Sequence, residues 1–446
     1  METSRSAAVS SAWCGAITET NQPGAASARS PLAVYVHLPY CAKRCPYCDF
    51  NTYVVHRIPE ERYAAALERE AAFAAGRPEW QARRIGSVFF GGGTPSLFSP
   101  ATVGRLLELF GRLWGYEPDA EITLEANPGS LEGGGEEKLR AFRAAGIGRV
   151  SFGAQSFNAT HLATLGRIHS ADETRDAISA ARRAGFENVS CDLIYGIPGQ
   201  TVGEWQDDLA IATALATDHV SAYCLTYETG TPMTGMKNAG LVTPADEETE
   251  LEMFRLTREI LGDAGLAQYE VSNFARPGRE SRHNLAYWTW RDYLGLGAGA
   301  HGFSSPVAAS GDATAITAAG GAPANDAGGD AKPVDVAPGA CFGRRYSNHR
   351  LPDLYMSAAD GAWHAAGEEL TRAMAMSEYL LVGLRLARGI DGNIFRQTFG
   401  VALEEAAPAL DAFVERGLLR RQGATVALTD RGLEIADAVI TRLAAG

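Results

Sequence analysis

Three cysteines fall within eight residues, in Cys41-Ala-Lys-Arg-Cys45-Pro-Tyr-Cys48. Thiolates are soft ligands that suit iron–sulfur clusters and zinc. A short C-x3-C-x2-C loop can wrap one face of a cubane cluster and supply three ligands. The fourth iron then stays open to a small chelating molecule. A closed structural zinc site wants four protein ligands. His37, Asp49 and His56 are near enough in sequence to supply the fourth, so counting alone leaves zinc open. The other cysteines are Cys14, Cys191, Cys224 and Cys341. They show no ligand spacing, and Cys191 and Cys224 lie in apolar runs where cysteine acts as a small hydrophobe. Seven cysteines in 446 residues do not suggest a disulfide framework. The clustered three point to a reducing compartment, and the expected location is the cytoplasm.

Other chemistry-bearing residues are more dispersed. Gly91-Gly92-Gly93-Thr94-Pro95 would let a ligand's amino group approach backbone carbonyls closely. The phosphate-loop pattern G-x-x-x-x-G-K-[ST] is absent, and a plain tight turn is the alternative. Glu125, Gln155, Arg167 and Asp192 are scattered polar residues that individually read as ordinary rim positions. Carboxylates can hold ribose hydroxyls, and an arginine can pair with a ligand carboxylate. His283-Asn284-Leu285-Ala286-Tyr287-Trp288 offers an imidazole and two flat aromatic faces. That set can ligate an iron and flank a porphyrin, or it can be a histidine satisfied by hydrogen bonds. His301, in Gly295-Leu-Gly-Ala-Gly-Ala-His301-Gly302, is a second imidazole, in a glycine-rich stretch that reads as a close-approach segment.

The elements that position these residues alternate. Apolar, β-rich runs occur at 33–38, 87–90, 121–125, 149–152, 189–194 and 220–225. Helical periodicity occupies 59–76, 99–114, 134–145, 171–185, 202–216 and 246–265. This alternation implies an α/β fold with a parallel sheet covered by helices, a partial (β/α)6 TIM-like barrel. In such barrels the chemistry sits at the C-terminal ends of the strands. The cysteine loop follows the first run and the triple glycine the second. Glu125 ends the third, Gln155 follows the fourth, Asp192 lies near the end of the fifth, and Tyr227 and Glu228 follow the sixth. The polar features therefore gather at one rim.

The remainder divides by composition. Residues 1–30 read as a disordered tail without the basic start and apolar core of a signal peptide. The barrel with its extension is expected over 31–304. Residues 305–340, dominated by Ala, Gly, Asp and Pro, read as a low-complexity insertion or linker. From 341 to 446 a small winged-helix-like domain is expected, with helices at 377–386, 410–419 and 431–443 and a short strand at 424–428. Its segment from Thr371 onward carries nine arginines, no lysine and nine acidic residues. The formal net charge of the chain is -13. Neither balance suits a nucleic-acid reader or bulk attraction to an anionic membrane. No apolar run is long enough for a membrane-spanning helix.

The cysteine loop, with Tyr47 before its last cysteine, resembles the radical S-adenosylmethionine (SAM) superfamily signature. Tyr35-Val-His-Leu-Pro-Tyr-Cys41, Thr123-Leu-Glu-Ala-Asn-Pro128, Ser151-Phe-Gly-Ala-Gln-Ser-Phe157, Leu165-Gly-Arg-Ile-His169 and Asp192-Leu-Ile-Tyr-Gly-Ile-Pro-Gly-Gln200 are similar to the oxygen-independent coproporphyrinogen III oxidase family and its relatives. The resemblance runs from about residue 32 to 303 and resumes in the C-terminal domain. It implies a [4Fe–4S] cluster on Cys41, Cys45 and Cys48. It also implies SAM contacts at Tyr35, Gly92, Gly93, Thr94, Glu125, Gln155, Arg167 and Asp192. In that superfamily SAM chelates the open iron, and an electron from the cluster cleaves it to a 5′-deoxyadenosyl radical.

Two branches separate on two departures. The decarboxylating oxidases carry a further cysteine two residues after the third ligand, where this chain has Phe50. They also have a longer ordered N-terminal extension. Both departures match the HemW-type heme chaperones. His283 to Trp288 is similar to the H-N-x-x-Y-W segment associated with heme binding in that branch. The resemblance thus implies heme as cargo, His283 as its ligand, an acceptor protein (transiently membrane-associated in one version), an electron donor for the cluster, and no nucleic acid. The alternatives are a coproporphyrinogen III oxidase and a radical SAM enzyme with another substrate.

Overall fold

The computed structural model describes residues 30–131, 135–306 and 341–445. The tail expected at 1–30 lies outside the described residues except for Ser30, and so does the linker from 307 to 340. All six expected strands are present: β1 (Leu32–Leu38), β2 (Ile85–Gly92), β3 (Tyr116–Ala126), β4 (Arg149–Gln155), β5 (Asn188–Tyr195) and β6 (His219–Cys224). They lie side by side in chain order, all parallel.

Period-two alternation divides each strand between two environments. On β1, Leu32, Val34, Val36 and Leu38 are fully buried against the helices, whereas Ala33, Tyr35 and His37 alternate onto the concave face. The outer layer is α1 (Glu60–Ala75), α2 (Pro100–Leu113), α3 (Gly135–Ala144), α4 (Ala171–Arg183), α5 (Val202–Ala214) and α6 (Glu247–Asp263). Their starts follow local chemistry. Ser170 with Glu173 and Thr201 with Glu204 form reciprocal capping boxes, and Ser99 caps α2 ahead of Pro100. Their inner faces bury Leu67, Leu106, Phe110, Phe142, Ile178 and Trp205. Each such side chain contributes about 1.5–3 kcal/mol of transfer free energy.

The sheet extends beyond the six strands. Tyr293–Leu296 returns parallel to β1 on its free side. Antiparallel strands His301–Ser304, Gly343–Asn348 and His364–Leu370 follow it outward. At the other edge Asn273–Ala275 and Ala267–Glu270 pair antiparallel beyond β6. The order is a single 12-stranded sheet.

This corrects the expected start of the small domain at 341. Residues Gly343–Asn348 and His364–Leu370 belong to the large sheet. The strand His364–Leu370 is exposed at every position but the last, so it shows no apolar alternation to read. A buried carboxylate fastens this extension to the barrel. Glu70 on α1 accepts hydrogen bonds from Gly297 N (2.9 Å), Asn348 Nδ2 (2.6 Å) and Tyr355 Oη (2.6 Å).

The small domain is winged-helix-like, with shifted boundaries. Its first helix is Arg372–Gly383, capped by Thr371, ahead of the expected 377–386. The helix expected at 410–419 stops at Glu415, and Leu419–Gln422 turns into a strand against Thr425–Leu428, with Ile390–Asp391 as third member. The final helix breaks at Ile435 into Asp430–Glu434 and Ala436–Ala444. Its core, Tyr379, Phe395 and Phe399, continues into Phe303, Phe342 and Trp290 of the sheet extension. Arg255–Glu434 (2.7 Å) and Arg258–Asp430 (2.6 Å) bridge α6 to it.

Candidate functional site

The concave face of the sheet is unusually polar for an interior. Arg149, Ser151, Thr123, Ser190, His219 and Ser221 are all buried there. Glu125 and Asp192 face one another across it. Burial, then repulsion from Asp192, pushes the Glu125 carboxyl up to about 7. Burial raises Asp192 as well, opposed by hydroxyl donors from Ser221 (2.7 Å) and Ser151 (3.0 Å). The Arg149 guanidinium favours both anions, and its Nε has no partner among the described residues. Glu125 also accepts from Gly92 N at 3.1 Å. That bond fixes the glycine turn against the end of β3.

The cysteine loop lies directly above. Its base is a short parallel pair, Tyr40–Cys41 beside Tyr53–Val54. Gly93 N and Thr94 N donate to Leu38 O and Tyr40 O, both at 2.9 Å, so the glycine turn and the loop share one frame. Gly92 has φ +112, which favours glycine. A Cβ on Gly93 would come within 2.6 Å of Tyr40 O. On the far side, Met233 N donates to Pro46 O at 2.9 Å, and Gly166 packs on Pro46.

Donors point at the sulfurs. Thr94 Oγ1 lies 3.6 Å from Cys41 Sγ, and Arg167 Nη1 lies 3.6 Å from Cys45 Sγ. Burial raises the Cys41 and Cys48 thiols. Among the described residues no three His, Cys, Asp or Glu side chains converge as ligands of a single ion. A cubane makes a different demand, one thiolate for each of three irons. The three partly exposed cysteines on one short loop, with donors directed at two of them, fit that group.

Beside the loop, Arg167 Nη2 donates to Gly153 O at 2.8 Å, while its buried Nε is left without a partner among the described residues. Gln155 sits at the end of β4 with φ +68, where the ladder with β5 slips by a residue. An open cleft of about 380 Å³ lies between the cysteine loop and the Gly166–Ile168 turn, lined by Cys45, Thr94, Asn127, Ser130 and Arg167 among others. An unsatisfied buried guanidine nitrogen, paired carboxylates and an open glycine turn are what a zwitterionic nucleoside would require. Thr94 and Arg167 line this cleft, Gly92 and Gly93 form the turn that carries Thr94, Glu125 is bonded to that turn, and Gln155 ends β4. Asp192 lies deeper in the barrel, bonded to Ser151 and Ser221, and Tyr35 is set mid-strand with its ring against Phe89 and His283.

His283 lies elsewhere. The helix Arg282–Trp288 closes the opposite, N-terminal end of the barrel, where Arg282 N and His283 N donate to Glu121 and Arg282 Nη1 reaches Asp119. The imidazole is 1 % exposed. Its Nδ1 meets Ser87 Oγ at 3.0 Å and its Nε2 meets Tyr287 Oη at 2.8 Å. It stacks on Phe89 with ring centroids 5.2 Å apart. Burial, then Arg149 and Arg291, hold it neutral, down to about 3. Iron ligation there would require displacing Ser87 or Tyr287.

Comparison with known proteins follows the same outline. Residues 35–212 match the radical SAM superfamily, and residues 370–435 match the HemN C-terminal domain. The heme chaperone HemW of Bacillus subtilis is 31% identical over 405 residues, 90% of this chain and 96% of that protein. HemW of Mycobacterium tuberculosis is 35% identical over 418 residues, 93% of this chain and 95% of that one. The chain belongs to the HemW family of radical SAM proteins. A mitochondrial "radical S-adenosyl methionine domain-containing protein 1" of Bos taurus is 44% identical over 63% of this chain, a match that spans 62% of the cattle protein. The solved structure of Escherichia coli coproporphyrinogen III oxidase (HemN) shares the fold, with a TM-score of 0.71 at 21% identity over 94% of this chain and 90% of that one.

Three features of this HemW-family site escape sequence reading. Arg149 sits in a predicted strand, and a cation amid apolar residues was the available signal. Ser151 and Ser221 bond Asp192 from neighbouring strands, and their type carries no signal. Glu70 lies one turn among many on an amphipathic helix, and its buried role depends on residues 227 or more positions away.

Proposed function

We propose that this protein is a heme chaperone: it binds heme and delivers it to an acceptor protein, while carrying a [4Fe–4S] cluster on Cys41, Cys45 and Cys48 with exchangeable SAM beside it. Relationship along nearly the full length of two bacterial HemW proteins supports the chaperone reading. The observation that carries it against the oxidase reading is Phe50. This side chain is 61% exposed, two residues past Cys48, where the oxidase branch has a further cysteine.

The cluster with bound SAM supplies one-electron reductive chemistry. The chain's own residues bind and orient. Gly92, Gly93 and Thr94 would offer backbone and hydroxyl to the amino end of SAM, Arg167 its carboxylate partner, and Glu125 and Asp192 the ribose hydroxyls. The region where they meet is buried, so water is displaced when the ligand enters. Heme, an acceptor protein and an electron donor are the partners this function needs. Among the described residues no helix is long and apolar enough to cross a membrane.

The test combines two assays on one anaerobically reconstituted preparation. Heme titration and transfer to a heme-free acceptor are expected to succeed, and coproporphyrinogen III is expected to pass through unchanged. Formation of protoporphyrinogen would overturn the reading, as would failure to bind heme.

A further inference from the structure

The barrel mouth holds an imidazole that the preceding reading leaves unused. His301 starts the strand His301–Ser304, antiparallel to Tyr293–Leu296, whose Leu296 is level with Val36 near the rim end of β1. His301 shares its face with Phe303 by strand alternation. Phe303 packs on Tyr293 and Trp290 on the concave side, which places His301 on that side at the rim. It lies close enough to His37 to disfavour a charge there. Unlike His283, His301 is exposed, and its ring makes no hydrogen bond among the described residues. By contrast, His37, His169, His219 and His283 are engaged at both ring nitrogens.

What surrounds His301 has the chemistry of a porphyrin site. Asn51 Nδ2 donates to Ala298 O at 3.0 Å and to Arg350 O at 2.9 Å. It draws together three chain segments: Phe50–Asn51, the turn before His301, and Arg350–Leu351. Gly299, with φ +77, packs on Asn51 so closely that a Cβ would collide with it. Phe50 is 61% exposed and Leu351 53%, so two large apolar side chains stand uncovered at this junction. Arg350 forms no ion pair among the described residues, and after partial burial it is the next cause, ahead of Arg345, of the lowered proton affinity of His301. An unbonded imidazole, exposed apolar faces and a guanidinium held only through Nε, which donates to Asn51 Oδ1 at 3.4 Å, match an iron porphyrin with its propionates. Exposure suits a ligand that must be handed on.

Resting on the heme-chaperone reading, we propose that heme binds at this barrel mouth. His301 is its axial ligand, Phe50 and Leu351 lie against its face, and Arg350 pairs with a propionate. The site adjoins the cluster loop, because Phe50 is two residues from Cys48 and Val54 pairs with Cys41. The floor residue His283 then has a structural role.

The test uses the full-length reconstituted protein, titrated with ferric heme and followed by Soret absorbance and electron paramagnetic resonance. His301→Ala is expected to lose the axial-imidazole signature and to weaken binding by about tenfold or more, a change of about 1.4 kcal/mol. Its iron content and SAM binding should stay at wild-type level, and added imidazole should restore the spectrum. Arg350→Glu should weaken heme but not its dimethyl ester. His283→Gln, which keeps a partner for Ser87 and Tyr287, should bind heme with the wild-type spectrum. The proposal is overturned if His301→Ala binds with unchanged affinity and spectrum, or if the signature is lost in His283→Gln or His56→Ala instead. Those outcomes leave the chaperone reading standing. Failure of the wild-type protein to bind heme would overturn both.

Discussion

Arg167 Nη1 lies 3.6 Å from Cys45 Sγ while Nη2 of the same guanidinium holds Gly153 O at 2.8 Å. One side chain thus ties the cysteine loop to the end of the fourth strand. Its Nε is buried and has no partner among the described residues. Arg167→Ala is expected to weaken SAM binding by about 10- to 100-fold, the loss of a charge-assisted hydrogen bond worth about 1.5–3 kcal/mol. Anaerobic equilibrium dialysis with labelled SAM measures it. Arg167→Lys should recover only part, because a lysine cannot reach the loop, the carbonyl and the ligand in one plane. Unchanged affinity in Arg167→Ala would remove the residue from the site.

Replacing Cys41, Cys45 or Cys48 singly with alanine is expected to abolish the four-iron content of the reconstituted protein. Iron and sulfide analysis with visible absorbance reads this directly. Cys191→Ala is the control. That thiol is fully buried in β5 among apolar neighbours, and burial raises it far above the ordinary range. Its replacement should leave iron unchanged and lower stability modestly.

Gly92→Ala tests the glycine turn. The residue has φ +112, and a Cβ there would fall on the His37 ring. An L side chain in such a conformation costs about 1–3 kcal/mol before the clash is counted. The variant should lose SAM affinity and cluster together, because the same turn is bonded to Glu125 and its neighbour Gly93 to Leu38. A variant with full iron content and native SAM affinity would contradict this coupling.

Glu70 gives a pH signature. Burial pushes its carboxyl from 4.5 up to about 7, offset only in part by Tyr355, Gly297 and Asn348. The folded state therefore binds the proton more tightly than the unfolded chain. Its contribution is full below about 4.5 and is lost as pH rises through about 7, a swing on the order of 3 kcal/mol. Glu125 titrates in the same window, so the comparison is between wild type and Glu70→Gln. The stability difference between them, from urea midpoints at pH 4.5 to 8, should move against the wild type as pH rises. A constant difference would show that Glu70 does not titrate in the fold.

The six barrel strands, their helices and the rim location of the cysteine loop were legible because each rests on local pattern. Period-two and 3.6-residue repeats need only neighbours in sequence, and strand-end chemistry follows from the alternation itself. The eight residues proposed to contact SAM were named by family resemblance, which the sequence carried in motifs such as the triple glycine and the stretch around Glu125. Only the tertiary structure decided the positions of the two histidines. His283 is on the barrel floor because its helix is held by Ser87 and Glu121, 196 and 162 residues away. His301 is at the mouth because Tyr293–Leu296 pairs with β1 and the following strand returns beside it. The outer strands were likewise invisible, since an edge strand such as His364–Leu370 buries almost nothing and so needs no apolar pattern. Sequence specified which side chains could bind iron. Long-range strand pairing decided which of them meet solvent, because accessibility depends on every element packed around a residue and not on its neighbours in the chain.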